Sequence, residues 1–282
     1  MNDSPRSAQL LDLASHRSPP GADGMSRTLA RAQRFTIERL AAERSGAPAT
    51  FGAGSEIILL LPDAGARISG SHAAEVRGRC VAILPAGHYE LALADRGEAY
   101  ILATDRSDIG PDAAINADAY RAEDHRVRSI GAPFGAARGD PAIRIYPVED
   151  IPIPPDNGRL RFLQSETMSI NWVEYRGTRG RNALSPHSHR DFEQASLAIA
   201  GDFVHHLRTP WGPDAELWRE DQHLTAGPGS IVIISPETIH TTEGIGEGLH
   251  ILVDIFAPPR RDFIKKNWVF NAADYLEPQE AE

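Results

Sequence analysis

The sequence has a single cysteine, no long apolar run and no excess of basic charge. One cysteine, Cys80, in 282 residues excludes an intramolecular disulfide and any zinc site built from CxxC pairs. It gives no sign of an oxidising compartment. No apolar stretch approaches the roughly 18 residues of a membrane helix, and Met1 to Ala8 lacks the basic-then-apolar layout of a secretory signal. A soluble, cytoplasmic protein without a membrane partner is expected. The formal net charge of -10 repels phosphate backbones, so nucleic acid is not an expected partner. The basic cluster Arg260, Arg261, Lys265 and Lys266 reads as a solvated face near the end of the fold. There is no Gly-rich phosphate loop and no nucleophile elbow. Long amphipathic helices are also missing between the apolar segments, which argues against a parallel βαβ sheet.

What is present is a series of short apolar runs between turn residues. Ile57–Leu61 ends at Pro62-Asp63-Ala64-Gly65, and Cys80–Leu84 ends at Pro85-Ala86-Gly87. Tyr89–Leu93 alternates and ends at Asp95-Arg96-Gly97, followed by Tyr100–Thr104. After a gap, 168–175, 195–200, 229–234 and 249–256 have the same texture. Short strands at regular spacing indicate an all-β sandwich or barrel. The N-terminal 45 residues read as a tail, with a breaker cluster at Ser18-Pro19-Pro20-Gly21 and a short amphipathic helix over Arg27–Arg44. Residues 141–160 carry Pro141, Pro147, Pro152, Pro154 and Pro155 and read as an extended linker.

Seven of the eleven histidines lie between positions 187 and 250. In a strand, residues two apart share a face, so His187 and His189 present two imidazoles side by side. His240, beyond the run Ser230–Ile234 and the turn Ser235-Pro236-Glu237-Thr238, is the candidate third. Glu193 or Gln194 supplies a further oxygen. Strand alternation turns only one of the two inward, and both readings stay open here: charge favours Glu193, and the spacing to Gly201 favours Gln194. His205 and His206 follow on the same sheet, where alternation sends one inward as a candidate substrate contact or proton shuttle. Tyr175 is a further candidate pocket residue, and Arg161 and Arg208 are candidate carboxylate forks. The first half has no His-x-His; its His72, His88 and His125 are far apart in sequence.

The stretch His187-Ser188-His189 with Gly201, then Gly229, Pro236 and His240, resembles the two motifs of the cupin superfamily. The tail Phe256-Ala257-Pro258-Pro259-Arg260-Arg261-Asp262-Phe263 is similar to a common cupin ending. The motif resemblance covers about residues 165–265, and the first half shows cupin-like texture at Leu84-Pro85-Ala86-Gly87-His88. Glu237 stands where the family usually has glycine. The resemblance implies two cupin-type barrels (double-stranded β-helix, or jelly-roll) in tandem. A barrel over 46–140 lacks the metal motif, a metal-binding barrel spans 161–270, and an acidic tail covers 271–282. It also implies one divalent metal (Fe, Mn, Ni or Zn) on His187, His189, His240 and Glu193 or Gln194, a small-molecule substrate and a homodimer. The activities it implies are a dioxygenase, with a non-enzymatic small-ligand or sugar-binding protein and a sugar-acid isomerase as alternatives.

Overall fold

A strand that is apolar at every position needs cover on both faces, and this chain supplies it by setting two barrels back to back. The computed structural model describes residues 6–16, 21, 23–137, 139–155 and 158–278. Ile57–Leu61, Cys80–Leu84 and Ser230–Ile234 are each buried throughout. In the first barrel, a six-stranded sheet runs in the order 144–147, 80–84, 57–61, 97–103, 36–42, 25–31. A four-stranded sheet of 48–53, 87–93, 66–70 and 74–76 lies opposite. In the second barrel, the six-stranded sheet runs 9–12, 230–234, 194–200, 249–256, 169–176, 160–164. It faces a three-stranded sheet of 222–226, 202–208 and 239–245.

Side-chain alternation divides the apolar residues between two cores. Ile58, Leu60 and Ile83 join Trp172, Leu197 and Val253 in a core between the two six-stranded sheets. Ile57, Leu59 and Cys80 point the other way and fill the first barrel with Leu40, Leu91 and Ile101. Each fully buried Ile or Leu contributes roughly 1.5–3 kcal/mol. The first barrel is therefore packed solid with hydrocarbon. Inside the second, the apolar clusters are small, one around Leu207 and Val232 and one around Phe203 and Leu252. That difference leaves room for a site inside the second barrel.

Three local expectations are corrected. Arg27–Arg44 is not a helix: Met25–Arg31 and Thr36–Ala42 form an antiparallel hairpin, with Leu29 opposite Glu38. Helix propensities differ by only tenths of a kcal/mol per residue. Here they are outweighed by burial of Leu29, Ile37 and Leu40, and by ion pairs that hold Glu38 to Arg106 and Arg39 to Glu98. Within the linker, Arg144–Pro147 is an edge strand paired with Cys80–Leu84. An edge tolerates Pro147 because proline lacks only the outward donor. The acidic tail is packed as far as Leu276: Tyr275 is buried, and Tyr275–Leu276 pairs with Gly135–Ala136.

The N-terminal segment also crosses over, since Gln9–Asp12 pairs with Ser230–Ile234 of the second barrel. Ser18, Pro19 and Pro20 lie outside the described residues. Among those described, no helix is long and apolar enough to cross a membrane.

Candidate metal centre

His187 and His240 face each other across an antiparallel bridge. The His187 N–H donates to the His240 carbonyl at 3.0 Å, and the His240 N–H returns the bond at 2.7 Å. His189, two residues on, turns its ring to the same side. Ring centroids lie 4.5 Å apart for His187–His240, 5.0 Å for His187–His189 and 5.1 Å for His189–His240. One nitrogen of each ring lies within 4.8 Å of those of the other two. Nδ1 of His187 sits 2.9 Å from the Ser185 carbonyl oxygen, and Nδ1 of His240 sits 2.9 Å from that of Thr238. A carbonyl only accepts, so each Nδ1 carries the proton and each Nε2 keeps its lone pair for the centre. Burial, reinforced by the Arg260 charge, pushes His189 down to about 3. Burial and the neighbouring His187 push His240 down to about 4. Both rings are neutral near pH 7.

Gln194 completes the cluster. Its Nε2 donates to Asp254 Oδ1 at 3.1 Å and to Ser196 Oγ at 3.0 Å, while Ser196 Oγ donates to Asp254 Oδ1 at 2.6 Å. These acceptors fix which way the amide points. Oε1 is left 2.9 Å from His189 Nε2 and 3.2 Å from His240 Nε2. His240 Nε2, with its proton on the other nitrogen, therefore faces a second acceptor with no hydrogen between them. A cation shared by the two would satisfy both. Three imidazoles and an amide oxygen form a donor set that suits a first-row divalent ion.

Glu193 points elsewhere. Its carboxylate accepts from the Gln33 N–H at 2.6 Å, from Arg6 Nη1 at 3.1 Å and from the Tyr120 hydroxyl at 3.1 Å. It ties the second barrel to segments from the first half of the chain and takes no part in the histidine cluster. Gly201 follows the same strand at φ +80°, where a Cβ would lie 2.7 Å from both the Leu249 carbonyl oxygen and the His250 ring. Only glycine fits there. Glu237, at φ +66°, holds the left-handed turn without glycine, and its N–H donates to the His189 carbonyl at 2.5 Å.

The cluster opens into a cavity of about 300 Å³ inside the second barrel, lined in part by Tyr175, Phe203, Leu252 and Asp254. Tyr175 is thus in the cavity, stacked on His250 at 5.1 Å. Burial raises its hydroxyl above the usual phenol range, so it stays protonated and is a donor. His205 is fully buried in the wall but does not border the cavity; its Nδ1 is 3.1 Å from Thr242 Oγ1. His206 is corrected: it lies on the outer face, 2.7 Å from His223 Nδ1 and 3.0 Å from Glu243. Arg208 is likewise on the outside, paired with Asp221, and Arg161 does not line the cavity. The basic cluster near the end of the fold is not wholly solvated, because Arg260 and Lys266 border the cavity.

Asp254 and Arg179 also line it, and neither was singled out from the sequence. Asp254 sits within the strand Leu249–Phe256, where a lone acid in the apolar run Ile251–Phe256 was the available signal. In the first barrel, His88 and His125 are exposed and His72 is half-buried. Among the described residues, His187, His189 and His240 are the group of three or more His, Cys, Asp or Glu gathered closely enough to hold a metal.

No protein-family model matches the chain, and no curated protein matches it in sequence. Solved structures do match in fold. Bacillus subtilis oxalate decarboxylase, in a structure concerned with its Mn(II) centres, superposes with a TM-score of 0.59 at 10% identity. The match covers 89% of this chain and 77% of that one. The protein Ylba from E. coli, described under DUF861, gives 0.59 at 10% identity over 90% of this chain and 92% of that one. The 7S globulin of Momordica charantia gives 0.54 at 12% identity over 93% and 86%. The chain has the bicupin fold. In this bicupin the histidine cluster belongs to the C-terminal barrel, and the N-terminal barrel keeps the architecture with a filled interior.

Proposed function

We propose that this bicupin is a mononuclear metalloenzyme acting on a small organic substrate, with His187, His189, His240 and the Gln194 amide oxygen as ligands. The observation that carries the reading is the unprotonated contact between His240 Nε2 and Gln194 Oε1 at 3.2 Å, beside the imidazoles of His187 and His189. The residues fit a divalent first-row ion such as Mn, Fe, Ni or Zn, which would supply Lewis acidity and open coordination positions for substrate. Every donor in the set is neutral, so the ion would keep its full positive charge toward the cavity.

The chain's own residues supply the rest. Asp254 and Ser196 hold the Gln194 amide in register. Tyr175 offers a protonated hydroxyl in the cavity wall, placed to donate to a substrate oxygen. Phe203, Leu252 and Phe256 exclude water from the apolar side. Of the activities open to such a site, a dioxygenase is the finer reading, because three histidines and one amide leave positions for both substrate and oxygen.

The test is elemental analysis of protein purified without added metal, for wild type, His187→Ala, His240→Ala and His88→Ala. Wild type and His88→Ala should carry about one metal ion per chain, and the first two variants should lose most of it. Equal retention in all four would end the metal reading. Oxygen uptake with diketone or phenolic substrates then separates the dioxygenase from an isomerase, whose turnover would persist without oxygen.

A further inference from the structure

Two arginines border the cavity beside the histidine cluster. Arg179 reaches in from the loop after Ser169–Arg176. Its Nη1 donates to the Thr242 carbonyl at 2.6 Å and its Nη2 to Ser185 Oγ at 3.0 Å, while Nε is buried without a partner. Its acceptors are neutral, and no carboxylate among the described residues pairs with it within ion-pair distance. Burial, together with repulsion from Arg159, pushes the guanidinium below its ordinary value, the mark of a cation still short of a counter-charge.

Arg260 enters from the opposite end of the motif region. Its Nε and Nη2 hold Asp262 at 2.8 and 2.7 Å, and its guanidinium lies 3.8 Å from the Phe263 ring centroid. Its Nη1 is buried and unpaired.

The charge around the cavity points the same way. Its wall carries four permanent cations, Arg159, Arg179, Arg260 and Lys266, and two acids, Asp254 and Asp262, so 4 − 2 gives +2 before any metal is counted. The whole chain has a formal net charge of -10, so this positive lining runs against the protein's overall sign. The remaining wall is largely apolar, with Phe162, Val173, Phe203, Leu252, Phe256 and Phe263. A cavity of about 300 Å³ is at the small end of ligand sites.

We infer that the cavity takes a small carboxylic acid with an apolar or aromatic body, its carboxylate recognised by the guanidinium charges of Arg179 and Arg260 at the cavity wall. The inference rests on the C-terminal cavity being the functional site, as proposed above. It names the substrate class of that site. Arg179 has no carboxylate partner among the described residues, and the surplus of cations in the wall favours an anion. A neutral isostere forgoes that attraction, so the acid should be preferred over the amide.

The probe pair is phenylacetate and phenylacetamide, titrated calorimetrically into the full chain, with metal content measured on the same samples. The acid should bind at least about tenfold more tightly than the amide, the return expected of a charge-assisted bond. Arg179→Gln and Arg260→Gln should each erase most of that preference while leaving amide binding and metal content unchanged. Arg161→Gln removes another buried arginine with unpaired nitrogens, but one outside the cavity, and should leave the preference intact. Equal binding of acid and amide, no binding of the acid, or full preference in both cavity variants would overturn the inference. Metal-loaded protein with no acid preference would refute the substrate class and leave the metal reading standing. Acid preference in protein that never holds metal would do the reverse.

Discussion

Adjacent residues Glu193 and Gln194 should fail in opposite ways when each is cut back to alanine. Gln194→Ala removes one of four donors from the histidine cluster, together with the amide that Asp254 and Ser196 hold in place. Loss of an oriented oxygen from such a centre is expected to weaken zinc or manganese binding by about 100-fold, or about 2.7 kcal/mol. The metal-free protein should remain folded, since only two polar contacts are lost. Glu193→Ala should leave metal affinity within about twofold of wild type, because its carboxylate contacts none of the imidazoles.

The cost of Glu193→Ala falls on the fold. The variant removes the acceptor of the Gln33 N–H and of the Tyr120 hydroxyl and the ion-pair partner of Arg6, which keeps its bond to the Ala122 carbonyl; all three converge on a carboxylate only 2% exposed. Hydrogen bonds to a charged group contribute about 1.5–3 kcal/mol each, and the burial that raises the Glu193 pKa offsets part of the sum. A net loss of about 3 kcal/mol is expected, which lowers Tm by roughly 6–12 °C. Metal affinity is read by competition with a chromophoric chelator, and stability by thermal unfolding of the chelated protein. The reasoning is refuted if Glu193→Ala strips metal from a protein that still melts like wild type, or if Gln194→Ala binds metal undiminished.

Two further outcomes follow from the same barrel. His205, pushed down to about 3 chiefly by burial, stays neutral when folded but takes a proton when unfolded below about pH 6.5. Its contribution is thus intact above pH 6.5 and is lost as pH falls from there toward 3, at about 1.4 kcal/mol per pH unit. Urea unfolding of chelated wild type and His205→Gln between pH 6.5 and 5 should give a slope shallower in the variant by about that amount, and identical slopes would contradict the assignment. Gly244→Ala would place a Cβ 2.1 Å from the Tyr175 hydroxyl and 3.0 Å from the His250 ring. Overpacking of this kind costs about 1–3 kcal/mol. The Tyr175→Phe background, which removes the nearest atom, should recover part of it, and full additivity in a double-mutant cycle would show that the two residues do not meet.

Much of the architecture was legible because it is written in short range. Runs such as Ile57–Leu61 and Cys80–Leu84, each closed by a turn residue, specify strands whatever lies around them. His187 and His189 turn their rings to one side beside an isolated bridge rather than within a regular strand, and Gly201 marks the end of the strand Gln194–Ala200 because its backbone leaves no room for a side chain. The misreadings share one cause. Arg27–Arg44 has helical composition, but its second strand, Thr36–Ala42, is fixed by pairing with Gly97–Ala103, more than 50 residues away. Arg260 reads as a surface charge until the strands before it are seen to turn it back over Phe256 and Phe263.

The choice between Glu193 and Gln194 shows most clearly what local reasoning leaves out. An anion beside a cation is the better ligand by charge, whereas the spacing to Gly201 favours the amide, and neither prevails locally. Asp254, sixty positions along the chain from Gln194, already places a carboxyl group one hydrogen bond behind the amide, and burial raises its pKa. A carboxylate in place of Gln194 would lose the donor that Asp254 accepts from, and would press two acids together at about 3.1 Å. Like charges that close cannot both ionise near neutral pH. The amide avoids the conflict. Its nitrogen satisfies the buried aspartate, and its oxygen faces the imidazoles.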